Sequence, residues 1–281
     1  MNRRKFLKRT FWCGAALAGV GGGTTAYGLW EPSQIRIRPQ SILLPNLPTA
    51  FDGKTLAVLT DFHHGPLVSI EFIRAAVAIA QGLDADAYAL VGDFAHKGTH
   101  TAEQLPACLE AVSALRAPLG VFAVPGNHDM QDNGRIYREM IRATPLTDVT
   151  NRSHRVLLGA DALWFAGVDD FWWGKPNLNA ALDGIPNGEA VILLAHNPDY
   201  AETNSDPRVG VVLSGHTHGG QAYVPGCGTA WMPSKYGAKY RGGLARALGT
   251  QVFVSRGLGE AGVPIRLNCP PEINVLTLAK G

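Results

Sequence analysis

Short, strongly apolar runs recur along the chain at residues 54–60, 87–91, 120–124, 190–194 and 209–213. Each is closed by glycine, histidine or a carboxylate, and each reads as a buried strand. Between the first three lie stretches with helical spacing. Ser69 stands as a cap ahead of Phe72, Ala75, Ala76 and Ile79, a second helix is expected over 101–115, and a third over 136–143. Strand alternating with helix implies parallel strands joined by right-handed crossovers. The remaining candidates, 155–158, 162–167, 251–255 and 273–278, make the later half strand-rich. They predict a second, more antiparallel sheet packed on the first.

The first thirty residues follow other rules. Asn2-Arg3-Arg4-Lys5-Phe6-Leu7-Lys8-Arg9 carries five cations, and residues 10–30 carry no charge at all. A twin arginine ahead of a mild apolar run resembles a twin-arginine export signal, read by the twin-arginine (Tat) export machinery. A helix of that length reaches about 30 Å, roughly a bilayer core. No Ala-x-Ala site closes the run, so retention as an N-terminal membrane anchor stays open beside cleavage. With the positive end inside, the rest of the chain is expected outside the cytoplasm. Residues 31–50, with four prolines, read as a linker, and 51–281 as one domain.

The leader also changes the charge. It holds five of the 25 Lys and Arg and none of the 23 Asp and Glu, so the remainder carries a net −3. That balance disfavours a nucleic-acid partner. Cys108, Cys227 and Cys269 are scattered without CxxC spacing and suggest neither a disulfide framework nor a thiolate zinc site.

The chemistry gathers at strand ends. In chain order these carry Asp61 and His63, Asp93, Asn127 and His128, His196, then His216 and His218. Taken singly each has an ordinary use: a loop cap, a turn residue, a satisfied core histidine, two histidines on a polar loop. Together they form one set, because side chains at the carboxyl ends of α/β strands converge in one crevice. Hard oxygen plus imidazole without thiolate suits Mn, Fe or Zn. Seven ligands and one further histidine are too many for one ion and fit two ions sharing a carboxylate.

Asp61-Phe62-His63, Gly92-Asp93, Gly126-Asn127-His128-Asp129, His196 and Gly215-His216-Thr217-His218 resemble the five motifs of the calcineurin-like metallophosphoesterases. The resemblance covers residues 53–280 and implies a four-layer α/β/β/α sandwich with two mixed sheets. It implies one divalent ion on Asp61, His63 and His218, a second on Asn127, His196 and His216, and Asp93 bridging them. His128 is then the catalytic residue beside the substrate, and the nucleophile a hydroxide between the ions, acting in line with the leaving oxygen. His128, next to acidic Asp129, is suited to protonate that oxygen or to stabilise equatorial charge.

Flanking text, including Gly167-Val168-Asp169-Asp170-Phe171-Trp172 and Arg266-Leu267-Asn268-Cys269-Pro270-Pro271-Glu272, looks like the membrane-associated bacterial phosphodiesterases. That branch also contains UDP-2,3-diacylglucosamine pyrophosphatases. The second motif continues Phe94-Ala95-His96-Lys97-Gly98 and lacks the second Asp of phosphoprotein phosphatases, which argues against protein dephosphorylation. The expected activity is hydrolysis of a small-molecule or lipid-linked phosphodiester, with cleavage of a lipid-linked nucleotide-sugar pyrophosphate as the alternative. Arg241 and Arg256 are candidates for holding a second phosphate or are ordinary structural arginines. Trp172 and Trp173 line the cleft, touch lipid or fill core.

Overall fold

The computed structural model describes residues 22–96, 98, 101–229 and 231–281. Residues 1–21 of the leader, with its basic segment, therefore lie outside the described residues. Among those described, no helix is long and apolar enough to cross a membrane.

Two six-stranded sheets face each other. The first contains β1 (Arg36–Leu44), β2 (Thr55–Leu59), β3 (Ala87–Val91), β4 (Val121–Val124), β5 (Thr147–Asp148) and β14 (Glu272–Lys280), in the order β1-β14-β2-β3-β4-β5. The second contains β6 (Arg152–Leu158), β7 (Asp161–Gly167), β8 (Ala190–Leu194), β9 (Val209–Ser214), β12 (Gly243–Ala247) and β13 (Thr250–Val254), in the order β12-β13-β9-β8-β7-β6. Its centre is parallel, and the antiparallel pairs fall at its edges, β12 on β13 and β6 on β7. The first sheet has a single antiparallel pair, β14 on β2. The second is thus the more antiparallel of the two, but only at its rims. β10 (Tyr223–Val224) and β11 (Gly228–Thr229) form a separate hairpin.

Every residue of β3, β4, β8 and β9 is buried, as expected of parallel strands covered on both faces. Leu56, Val58, Val91 and Val124 meet Leu163, Ile192, Leu194, Val211 and Leu213 between the sheets. Phe122 stacks on Phe165 across that gap, with centroids 3.9 Å apart and planes 7° off parallel. Such a pair contributes about 0.5–1.5 kcal/mol beyond its area.

The outer face of the first sheet is covered by α1 (Ile70–Gln81), α2 (Thr101–Val112) and α3 (Arg135–Ile141). Ser69 caps α1 by accepting from the Phe72 N–H at 3.2 Å. The buried stripe is Ile73, Ala76, Val77 and Ala80, one position round from the expected one, and Ile79 faces solvent. Two β-branched side chains alternating with alanines let the helix approach the sheet closely. The fourth layer is thin. A short helix, α4 (Leu178–Ala181), and 3₁₀ turns at Pro198–Glu202 and Gly237–Tyr240 place Leu182, Tyr200 and Tyr240 against the second sheet.

Two expected boundaries shift. Residues 36–44, read as linker, are β1, paired in parallel with the whole of β14. Pro39 is tolerated because the strand is an edge. Only Ile42 and Leu44 of that strand are buried, so its alternation is faint in the sequence. Residues 22–30 are helical, and their end is bonded to the domain. The Gly28 carbonyl accepts from the Arg266 N–H at 3.0 Å, and Glu31 Oε2 accepts from the Cys269 N–H at 3.0 Å.

Candidate metal centre

The carboxyl ends of β2, β3, β4, β8 and β9 bring the strand-end residues together. Asp61, His63, Asp93, Asn127, His196, His216 and His218 are all buried. Five of these, Asp61, His63, Asp93, His216 and His218, have φ between +46° and +70°. Left-handed backbone at a non-glycine residue costs about 1–3 kcal/mol. Five such residues in one cluster mark a site whose geometry is imposed by its surroundings.

Close approach of backbone explains the flanking glycines. A Cβ at Gly126 would lie 2.2 Å from Asp93 Oδ1, and one at Gly215 2.3 Å from Asp61 Oδ2. Both carboxylates sit where only glycine leaves room.

Two triads result, Asp61/His63/His218 and Asp93/His196/His216, each with ligand atoms close enough to hold one ion. In the first, His218 Nε2 is 3.4 Å from Asp61 Oδ1 and 3.0 Å from His63 Nε2. In the second, His196 Nε2 lies 3.2 Å from Asp93 Oδ2, without the alignment of a hydrogen bond. The same Asp93 oxygen is 3.4 Å from His63 Nε2, so it stands between the triads. Two of the other nitrogens are engaged: His196 Nδ1 is 2.7 Å from the Val91 carbonyl and His218 Nδ1 is 3.2 Å from that of Gly259. Such bonds fix the tautomer and leave Nε2 free for an ion.

Electrostatics agree with that use. Burial drives His63 and His218 well below the ordinary imidazole value and takes His216 down to about 3, which keeps all three neutral. Burial pushes Asp61 up to about 7. Burial would raise Asp93 too, but the surrounding imidazoles, His196 foremost, hold it well below the carboxylate range. Burial lowers His196, yet the neighbouring Asp93 carboxylate carries it up to about 10. Two buried carboxylates in one pocket call for positive charge. Buried Asn127 Oδ1, His196 Nε2 and His216 Nε2 have no hydrogen-bond partner, and unpartnered buried groups cost about 1–3 kcal/mol each. Oxygen and imidazole donors, no thiolate and orphaned lone pairs fit divalent ions.

His128 is half-buried at the rim. Its N–H donates to Asp93 Oδ1 at 2.8 Å, and its ring meets His63 edge-on at 4.6 Å. Asp129 serves elsewhere: its carboxylate accepts from the Phe94, Ala95 and Gly126 N–H groups, clasping the β3 loop to the β4 loop. His96, absent from the expected set, forms a third cluster with His63 and His128. Its signal in the sequence was its place three residues after Asp93. Trp172 is half-exposed and stands edge-on to His216 at 4.3 Å, a wall of the cleft, and Trp173 beside it is exposed.

The two arginines lie behind the His218–Gly220 turn rather than among the triads. Arg256 is 3.9 Å from Glu272 and runs along Gly219 and Gly242, and Arg241 stacks on Tyr223 at 3.7 Å.

Residues 54–220, more than half of the chain, match the family described as calcineurin-like phosphoesterase. The chain belongs to that family. The protein is accordingly a metal-dependent hydrolase of phosphoric esters. The phosphoesterase is 32% identical to an uncharacterized metallophosphoesterase of Bacillus subtilis, YkuE, over 99% of this chain and 98% of that protein. It is 27% identical to phosphodiesterase YaeI of Escherichia coli, over 99% of each chain. Among solved structures it resembles the NAD nucleotidase NadN of Haemophilus influenzae, with TM-score 0.51, 11% identity, and coverage of 73% of this chain and 45% of that one. That likeness concerns the fold alone.

Proposed function

We propose that this phosphoesterase hydrolyses phosphodiesters at a two-ion centre, with Asp61, His63 and His218 on one ion, Asn127, His196 and His216 on the other, and Asp93 shared. The observation that carries the reading is the position of Asp93 Oδ2, within 3.4 Å of His63 Nε2 and 3.2 Å of His196 Nε2. Two divalent ions, when bound, acidify water toward neutral pH and polarise the phosphoryl oxygens. The chain supplies the rest. Asp93 Oδ1 anchors the His128 main chain, so the shared carboxylate and the proton donor are held at one spacing. From the rim the His128 imidazole hands a proton to the departing oxygen. Trp172, edge-on to His216, flanks the second triad.

A diester substrate is supported by the full-length similarity to a protein named phosphodiesterase. The twin-arginine leader supports an extracytoplasmic domain, tethered at its N-terminus and acting on an envelope or lipid head-group diester. Metal content and turnover of diesters, monoesters and pyrophosphates on a single preparation test the activity. Two Mn, Fe or Zn ions per chain with diesters turned over fastest is the expected result. Faster cleavage of a lipid-linked nucleotide-sugar pyrophosphate, such as UDP-2,3-diacylglucosamine, moves the reading to a pyrophosphatase. Changing Arg3-Arg4 to Lys-Lys is expected to abolish export of a reporter fused at Gly281, and a domain that stays inside with the leader intact overturns the location.

A further inference from the structure

Arg266 is fully buried, the largest side chain to be so. Its four described hydrogen bonds all end on backbone carbonyls. Nη1 donates to Cys269 O at 2.9 Å, and Nη2 donates to Arg256 O at 3.0 Å, Gly257 O at 3.3 Å and Gly259 O at 2.5 Å. Carbonyl dipoles converging on one point repel unless a cation sits among them, and the planar guanidinium fork reaches several directions at once.

Three of the four ties lead toward the same triad. Gly259 O, held by Arg266, also faces His218 Nδ1 at 3.2 Å. Cys269, held on the other arm, donates its thiol to the His218 carbonyl at 3.1 Å. Gly257 lies so close to Asp61 that a Cβ there would stand 2.5 Å from the Asp61 Cβ, and the Gly259 N–H donates to the Asp61 carbonyl at 2.6 Å. No described bond from Arg266 runs to the His196 and His216 side.

We propose that Arg266 is the positioning residue of the Asp61/His63/His218 ion: it fixes the Gly259 carbonyl, which sets His218 as the Nδ1–H tautomer with Nε2 directed at Asp61. The inference rests on the two-ion reading. Outer partners of metal ligands typically change affinity about 10–100-fold. Arg266→Met, which keeps the stem and removes the fork, should therefore lower the affinity for one ion by that factor and leave the other unchanged. Arg266→Lys should fall between.

The test is metal content by elemental analysis during chelator titration of the full chain, with Mn²⁺ electron paramagnetic resonance to separate a coupled pair from a lone ion. Expected are two ions in the parent protein, one weakened ion in Arg266→Met, and recovery of the coupled signal on added Mn²⁺. The loss should be non-additive with His218→Ala and additive with His216→Ala. Affinities for both ions unchanged from the parent in Arg266→Met, or parallel loss of both, overturns the assignment. So does failure of both variants to give a cooperative unfolding transition, which makes Arg266 a support of the core. A parent protein that binds fewer than two ions fails the two-ion reading instead, a result visible before any variant is made.

Discussion

The two ends of the first sheet treat charge in opposite ways. At the amino ends of β2 and β3, Asp86 has both oxygens engaged: Oδ1 with Lys54 Nζ at 2.9 Å, Oδ2 with the Thr55 N–H at 2.8 Å and its hydroxyl at 3.0 Å. At the carboxyl ends of the same strands, Asp61 and Asp93 are sealed from water among imidazoles, of which His196 and His216 have an Nε2 without a partner. The backbone there is left-handed at Asp61, His63 and Asp93, whereas between the two ends it is regular strand. One end is satisfied by the chain itself. The other gathers buried, unpartnered groups that a bound cation would offset, the pattern expected where a fold gives up local consistency for function.

The sharpest way to break that contrast is to remove the carboxylate between the triads. Asp93→Asn keeps the shape and deletes the charge. It should lower turnover on the order of 10⁴-fold or more, the scale for a residue acting within a unit. It should also release more metal than His196→Ala, which affects one triad. Elemental analysis beside steady-state rates decides; an Asp93→Asn protein with both ions and near-parent turnover breaks the two-ion assignment.

His128 separates the rim from the ligands. His128→Ala should keep both ions and lose about 10²–10⁴ in rate. The deficit should shrink for esters with good leaving groups, which need no proton. Metal loss in this variant would make His128 a ligand.

Metal removal probes the stability side of the contrast. Each ion at about 100 times its dissociation constant adds about 2.7 kcal/mol. For a domain of this size that is roughly 5–10 °C in Tm per ion. Chelation should lower the Tm of the parent protein by that amount for each ion removed, and have little effect on Asp93→Asn. Equal shifts in both would mean the chelator acts elsewhere.

The contrast also explains what the sequence could reveal. The strands that end at the cluster are continuous apolar runs, and a residue just past such a run must emerge at the sheet's carboxyl edge. Asp93 after β3 and His196 after β8 were therefore legible as members of one strand-end cluster. β1 was not: with Pro39 and mostly exposed positions it is a strand only because β14 offers a complete parallel partner 236 residues later in register. β12, with a glycine start and half-exposed alternation, was missed for the same reason. Asp129 sits beside His128 in sequence, yet its carboxylate bonds the β3 loop. Adjacency says nothing about direction where a 3₁₀ turn intervenes. The clamp of Arg266 on carbonyls at 256–259 depends wholly on how two loops meet.

The smallest effect belongs to the satisfied end, and it should follow pH alone. Partial burial raises Asp86, but the Thr55 N–H, then the Lys54 ammonium and Thr55 hydroxyl, outweigh it and hold the carboxyl below its ordinary value. A folded-state value below the unfolded one means stability that is present above the unfolded carboxyl pKa and lost as pH falls through the folded one. Lys54 and Asp86 both retain some solvent contact, so screening keeps the contribution to about 1 kcal/mol or less. Asp86→Asn should therefore unfold at slightly lower denaturant than the parent at pH 7, with the gap closing toward pH 3. Turnover and metal content should stay unchanged, since the substitution lies at the far end of β2 and β3 from Asp61 and Asp93. A gap that persists undiminished at pH 3 would assign the effect to the lost geometry of the Thr55 bonds rather than to charge.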